Sequence, residues 1–264
     1  MKLYYPEGMR LHGENACRYL DFEKYNNELD EPCLFWLYFA EDYEYLLAHK
    51  GKRYVFWHGS DVMRLQYHKE LWQYLRELQH GITHVCHNSL LREELAQIGI
   101  HALVRPTFWG DISKYPETYE YSDKPEIYIS STAEREFEYG EGYVIALSKV
   151  FADCRFHVYG TDGEETENLI YHGRIPEAVM DEETKDMQIF LRMNRHDGMS
   201  QALMKALFRG QYIVSRIKYD HIPFADNFEE IVRIITNYIT DDVCAADEPD
   251  HGYWRKQINN FDWI

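Results

Sequence analysis

The stretch Phe190-Leu-Arg-Met-Asn-Arg-His-Asp-Gly-Met-Ser-Gln-Ala-Leu-Met-Lys-Ala-Leu-Phe-Arg-Gly-Gln-Tyr-Ile-Val-Ser215 changes its hydrophobic period twice. It opens as the end of an apolar strand, 188–193, and crosses a polar loop from Asn194 to Gly198. Apolar residues then recur three or four apart over 199–209, Gly210 stops the helix, and 212–216 reads as a buried strand. Strand, loop, amphipathic helix and strand in this order form the repeating unit of a parallel α/β sheet. Such sheets bind ligands beyond the carboxyl ends of their strands, where loops enter helix N-termini. Here Gly198 lets the backbone approach a ligand. The amide groups of Gly198, Met199, Ser200 and Gln201 present the positive end of a helix dipole, which suits phosphate. A local role is compatible with this: Asp197 caps the helix and Arg195 lies on the surface.

The same alternation runs in both directions. Strand-length runs occur at 33–39, 54–57, 83–86 and 102–104, separated by helical patterns at 41–50, 67–78 and 90–98 that end near Gly51, Gly81 and Gly99. Residues 2–5 read as an opening strand and 14–22 as a short helix. Residues 107–125, rich in tyrosine and with two prolines, read as a connection. Beyond it, strands at 126–130, 155–159 and 168–171 alternate with helices at 142–151 and 176–185, and a helix at 227–240 follows the quoted stretch. The tail 253–264 spaces Trp254, Ile258, Phe261 and Ile264 as a docked helix. The expectation is an α/β protein with two doubly wound sheets. Residues 1–110 form the first domain, 111–125 a linker, 126–250 the second domain, and 251–264 a helix packed on the first domain.

Composition sets limits on function. The chain has 264 residues, 45% of them hydrophobic, enough for two cores. No apolar run of about 18 residues occurs and the start lacks a signal peptide, so a cytoplasmic protein is expected. The five cysteines (Cys17, Cys33, Cys86, Cys154, Cys244) are scattered and read as free thiols. The thirteen histidines form no zinc pattern, so neither metal nor cofactor is expected. A formal charge of −17 disfavours a nucleic-acid partner, although a basic groove between the acidic runs 134–141, 164–167 and 241–250 stays open.

Taken in order, these segments resemble the retaining GT-B glycosyltransferases of the family-4 kind (glycosyl transferases group 1), in a compact form. Four stretches carry the likeness: residues 190–215; Arg155-Phe-His-Val-Tyr-Gly160 with Asn168-Leu-Ile-Tyr-His-Gly173; Val55-Phe-Trp-His-Gly-Ser-Asp61; and His87-Asn-Ser-Leu-Leu-Arg-Glu-Glu-Leu95 ahead of Gly99-Ile100. The resemblance implies two Rossmann-like domains facing a cleft, with the closing helix crossing back to the first. It implies that Asp197 faces the hydroxyls of a donor sugar and that the amides of Gly198, Met199 and Ser200 meet the diphosphate of a nucleotide sugar. The base then lies near Gly173, Arg174 and Ile175.

The sequence departs from that pattern in three ways. Lys205 stands where relatives have a second acid that holds ribose; a cation meets a phosphate or pairs with Asp197 instead. Relatives bring an Arg and a Lys from the loop after the first strand of the second domain to the diphosphate; in this loop, Ser131 to Glu141, Arg135 is the single cation and Glu141 stands near the position of the Lys. The first domain is short.

Among single residues, His58 ends a strand before Gly59 and Ser60, placing it for contact with acceptor or sugar. The alternative is a histidine bonding the turn backbone. Asp61 orients an acceptor or caps the next helix. Arg195 and His196 are candidates to neutralise the leaving diphosphate, with Arg195 preferred. If the family's stereochemistry carries over, the leaving phosphate takes the acceptor's proton and no protein base is required. Two rival readings stand beside the transferase: a virus-type enzyme that glycosylates a modified DNA base, and a non-catalytic binding protein on a transferase scaffold.

Overall fold

The computed structural model describes residues 1–240 and 250–264. Residues 241–249, which hold most of one acidic run, the end of the second expected domain and Cys244, lie outside the described residues. Two compact units result: Met1–Lys114 with Asp197–Gln201 and Lys256–Ile264, and Tyr115–His196 with Ala202–Arg255.

The first unit runs β1 (Lys2–Tyr4), α1 (Arg10–Tyr19), β2 (Glu23–Lys24), β3 (Cys33–Phe35), α2 (Ala40–Ala48), β4 (Arg53–Trp57), α3 (Ser60–Tyr67), α4 (Leu75–Leu78), β5 (Ile82–Cys86), α5 (Ser89–Gln97) and β6 (Ala102–Val104). Its sheet is parallel, in the order β2-β1-β3-β4-β5-β6. Strand alternation separates the two faces. Val55 and Trp57 join a core with Leu65 and Leu91, whereas Tyr54 and Phe56 join one with Leu34, Trp36, Trp109 and Trp263. Each such burial contributes about 1.5–3 kcal/mol. The helix expected at 67–78 begins earlier instead, at Ser60, and ends where His68 turns extended; a 3-10 segment and short α4 follow. The carboxylate of Asp61, bonded to the turn amides, sets that earlier start.

The second unit runs β7 (Glu126–Ser130), α6 (Glu136–Tyr139), α7 (Glu141–Val150), β8 (Arg155–Tyr159), β9 (Leu169–Gly173), α8 (Glu177–Glu183), β10 (Ile189–Arg192), α9 (Gln201–Arg209), β11 (Tyr212–Ser215), α10 (Phe228–Ile239) and α11 (His251–Gln257). The order β11-β10-β7-β8-β9 is again all parallel. One face is aliphatic: Ile127, Ile129, Val158 and Leu191 pack with Leu147 of α7 and Ile234 of α10. The other is aromatic and polar. The Tyr128 ring lies 4.9 Å from Phe190, and its hydroxyl donates to Gln211 Oε1 at 2.6 Å.

The expected closing helix is shorter than 253–264. It stops at Gln257, and Asn259 takes a left-handed φ of 61° while its side chain accepts from the Phe108 amide at 2.8 Å. Trp254 stays with the second unit, donating to the Asp220 carbonyl at 3.0 Å, while Phe261 and Trp263 pack in the first. Cys33, Cys86 and Cys154 are buried free thiols and Cys17 is half-buried. No helix among the described residues is long and apolar enough to cross a membrane.

Candidate functional site

In a doubly wound sheet the strand order reverses at one point, and the crevice beyond the strand ends there is the usual ligand seat. The first sheet reverses between β1 and β3, the second between β7 and β10.

At the first sheet, Trp36 follows β3, His58 follows β4 and His87 follows β5, with Trp109 a few residues after β6. Their rings touch: Trp36 is 4.8 Å from His58 and 4.7 Å from Trp109, and His58 is 5.5 Å from His87. Burial pulls the His58 pKa well below its ordinary value; the nearby His87 and His12 act in the same direction. His87 falls to about 3, burial outweighing the opposing pull of Asp197. Both imidazoles are therefore neutral at physiological pH.

Gly59, at φ 128°, turns the chain after His58. Asp61 accepts from the amides of His58, Gly59 and Val62 at 2.7–3.0 Å and is 2% exposed. Burial lifts its pKa to about 6 against those bonds. Asp61 lies in the first turn of α3, behind Gly59, and its carboxylate faces these turn amides. Ser60 is exposed at the helix start.

The segment Asp197–Gln201 packs in this same unit, so the second domain expected at 126–250 is interrupted there. The cause is backbone contact. A Cβ on Gly198 would stand 1.3 Å from the His58 carbonyl oxygen, and one on Gly59 would stand 2.8 Å from the Gly198 nitrogen. Asn88, which caps α5 by accepting from Leu91, also donates to the Asp197 carbonyl at 2.8 Å. The Asp197 carboxylate accepts from the Ser200 amide at 3.1 Å, a capping bond, and Gln201 accepts from the Trp109 amide at 3.0 Å. Met199 is buried with φ 69°, a left-handed conformation that a side chain adopts only when its surroundings hold it.

At the reversal of the second sheet, Ser131 follows β7 and Asn194 lies two residues beyond β10, both 6% exposed, with Ser131 Oγ and Asn194 Oδ1 buried and unbonded. Gly140 brings the loop after β7 against this end, since a Cβ there would stand 2.2 Å from that of Met193. Arg192, the last residue of β10, is buried with its guanidinium 5.5 Å from the Tyr139 ring centre. Arg195 is exposed and His196 half-buried. Arg135, the cation expected at the diphosphate, is exposed and ion-paired with Glu138. Gly173 ends β9 with φ 62°, Arg174 is exposed and Ile175 half-buried.

Lys205 departs most from expectation. It meets neither Asp197 nor an open phosphate seat; its Nζ lies 2.5 Å from Glu177 Oε1 and 2.8 Å from Asp181 Oδ1, beneath the ring of Tyr115. Burial opposes its charge, but the two carboxylates outweigh it and raise its pKa.

Sequence reasoning passed over Trp36, His87, Trp109, Arg192 and Asn194. The available signal was position, since Trp36, His87 and Arg192 stand at a strand end and Asn194 two residues beyond one. His157 and His172, on β8 and β9, were passed over too. They share a hydrogen bond at 3.0 Å, and His172 continues to Glu183 at 3.1 Å. No group of three or more His, Cys, Asp or Glu side chains arranged for a metal occurs among the described residues.

No family model and no curated protein matches the chain. Solved structures do. TarM is similar at 14% identity and a TM-score of 0.60, over 85% of this chain and 51% of that one. The pneumococcal O-GlcNAc transferase GtfA, in complex with UDP and GlcNAc, is similar at 12% and 0.54, over 96% and 56%. Anabaena HepE, in complex with UDP and glucose, is similar at 9% and 0.61, over 85% and 73%. The chain thus spans about half the length of the first two. Likeness at such identity is one of fold: two Rossmann-like α/β domains of the GT-B glycosyltransferase type.

Proposed function

We propose that the chain moves a sugar from a nucleoside-diphosphate sugar to an acceptor hydroxyl, with retention of configuration, without a metal, and in the cytoplasm. The observation that carries this reading is the reversal point of the second sheet. Buried Arg192, the unbonded oxygens of Ser131 and Asn194, and Arg195 and His196 just beyond β10 supply cation and polar groups where a parallel sheet seats phosphates. GtfA and HepE, which share the fold, were each solved with UDP and a sugar. In this reading Arg195, His196 and Arg192 stabilise the leaving diphosphate. The amides of Gly198, Met199 and Ser200 add donors, Asp197 orients the donor sugar, and the base lies near Gly173, Arg174 and Ile175. The leaving phosphate accepts the acceptor's proton, so the neutral His58 orients substrate rather than acting as the base.

The test pairs binding with turnover. UDP and UDP-sugars are expected to raise the melting temperature, and Asp197→Ala, Arg195→Ala and Arg192→Met to lower donor hydrolysis or transfer by about tenfold or more. EDTA is expected to leave the rate unchanged. Near wild-type rates in all three variants would remove this site.

One observation favours a second reading, a non-catalytic nucleotide- or sugar-binding protein. Lys205 is held by Glu177 and Asp181, and Arg135 by Glu138, so neither cation that the resemblance places near the donor is presented to it. Nucleotide binding with no hydrolysis or transfer would select that reading.

A further inference from the structure

Asn88 uses both ends of a short side chain. It stands two residues beyond β5, buried, in extended backbone at φ −150° and ψ 172°. Its Oδ1 accepts from the Leu91 amide at 3.0 Å, which caps α5, and its Nδ2 donates at 2.8 Å to the carbonyl of Asp197, 109 residues away in sequence. Capping accounts for the first bond alone. The second holds the loop between β10 and α9, at the segment that packs in the first unit.

We infer that Asn88 is a positioning residue for this loop: by holding the Asp197 carbonyl it aims the Gly198 amide at the diphosphate of the donor. The inference deepens the proposed transferase reading, and rests on it for the diphosphate.

The peptide plane makes the connection. The Asp197 carbonyl and the Gly198 N–H belong to one planar trans unit and point to opposite sides of the chain, so a bond that fixes the first direction fixes the second. Within the loop, the Asp197 carboxylate accepts from the Ser200 amide at 3.1 Å and Met199 is held at φ 69°, which sets the shape of the segment. Neither feature tells the segment how to face. The turn after β4 limits how near it can lie, since a Cβ on Gly198 would stand 1.3 Å from the His58 carbonyl oxygen. That turn is a wall, whereas the Asn88 bond has a direction.

The two bonds have opposite sense, one meeting an N–H and the other a carbonyl, so the side chain needs an acceptor and a donor at its tip. A carboxamide has both. Serine or aspartate would keep the cap, but the serine hydroxyl is too short to span the two partners and an ionised carboxylate has no proton to give. Asn88 is itself held, because its own carbonyl accepts from the Cys86 thiol at 3.4 Å and from the Arg92 amide at 3.2 Å. The donor therefore stands on a fixed helix start, as precise positioning requires.

The full chain is compared with Asn88→Ser and Asn88→Asp, which keep a cap and lose the bond to Asp197, and with Asn88→Ala, which loses both. UDP affinity, melting temperature and the Gly198 amide resonance are measured in each. Carbon-13 at the aspartate carbonyls with nitrogen-15 at glycine marks the two Asp-Gly pairs, Asp162-Gly163 and Asp197-Gly198, and Gly163→Ala tells them apart. Asn88→Ser and Asn88→Asp are expected to melt within about 4 °C of the wild-type chain, because the cap is kept. Both are expected to shift the Gly198 resonance without nucleotide and to bind UDP about fivefold more weakly or worse. Serine decides the affinity, since the charge of aspartate itself repels a diphosphate. Asn88→Ala is expected to match the serine variant in UDP affinity and to melt lower than either. UDP affinity in Asn88→Ser within about twofold of wild type, or an unmoved Gly198 resonance, overturns the inference and leaves the transferase reading standing. A loss of UDP binding confined to Asn88→Ala makes the residue a cap alone and overturns it as well. A wild-type chain that takes no UDP removes the transferase reading, and the inference with it.

Discussion

Where the first sheet's strands end they release rings, Trp36 after β3, His58 after β4 and His87 after β5; where β7 and β10 of the second sheet end they release Ser131, Arg192 and Asn194. Both sheets are parallel and reverse once, so topology gives each a ligand seat in the same relative place. Chemistry then separates them. The imidazoles of the first edge are neutral, because burial keeps them unprotonated. The second keeps a buried guanidinium and unbonded side-chain oxygens.

The largest expected effect comes from Gly198→Ala. The new methyl would stand 1.3 Å from the His58 carbonyl oxygen, so the segment Asp197–Gln201 must move off the β4 turn. A loss of about 2–4 kcal/mol in unfolding free energy and about a hundredfold in transfer are expected, read by denaturation and by a donor assay. Gly142→Ala is the control, with nothing within 4 Å of the added atom. Equal stability of the two variants would show that the close approach at Gly198 does not hold the first edge together.

Acid should act next most strongly, and mainly through the first unit. His84 and His87 have folded pKa values pulled by burial to about 4 and about 3. The unfolded chain therefore binds more protons than the folded one as pH falls below about 6.5. Stability is retained in full at neutral pH and lost on acidification, by up to about 2–3 kcal/mol per histidine at pH 4.5. Asp61 opposes this in part. Its folded pKa of about 6 lies above the unfolded value, so its contribution favours the acid side and fades as pH rises toward 6. His87→Asn should flatten the profile measured by chemical denaturation between pH 7.5 and 4.5. An unchanged slope in that variant would mean His87 is not held neutral.

The sequence already carried much of the second sheet. The strands at 126–130 and 155–159 appear with the expected bounds, because alternating β-branched and aromatic residues end at turns. The interval 67–78 misled because its apolar spacing spans a 3-10 segment and the short α4, while the signal that mattered, Asp61 behind Gly59, read equally well as a cap or as a reactive carboxylate. At the candidate site, Gly198 and Asp197 were legible from local order, whereas the partners of Lys205 were not. Glu177 and Asp181 lie 28 and 24 residues away in sequence, and only the packing of α8 on α9 brings them together. The rings of the first edge were missed for a related reason. A tryptophan after a strand reads as core, and its position at the sheet edge is visible only once its neighbours are placed.

The smallest expected effect sharpens the second edge. The resemblance gives the loop after β7 a cation for the diphosphate, and Arg135 is the single cation available there. The fold turns it outward instead: Arg135 and Glu138 pair three residues apart, with side chains 53% and 57% exposed. Exposed pairs of this kind contribute little, so Arg135→Ala should shift the melting temperature by no more than about 2 °C. UDP affinity should change by less than about twofold, against about tenfold for Arg192→Met. If Arg135→Ala instead weakens UDP as much as Arg192→Met does, the loop swings its arginine inward on binding, and the charge of the second edge comes from the loop rather than from the end of β10.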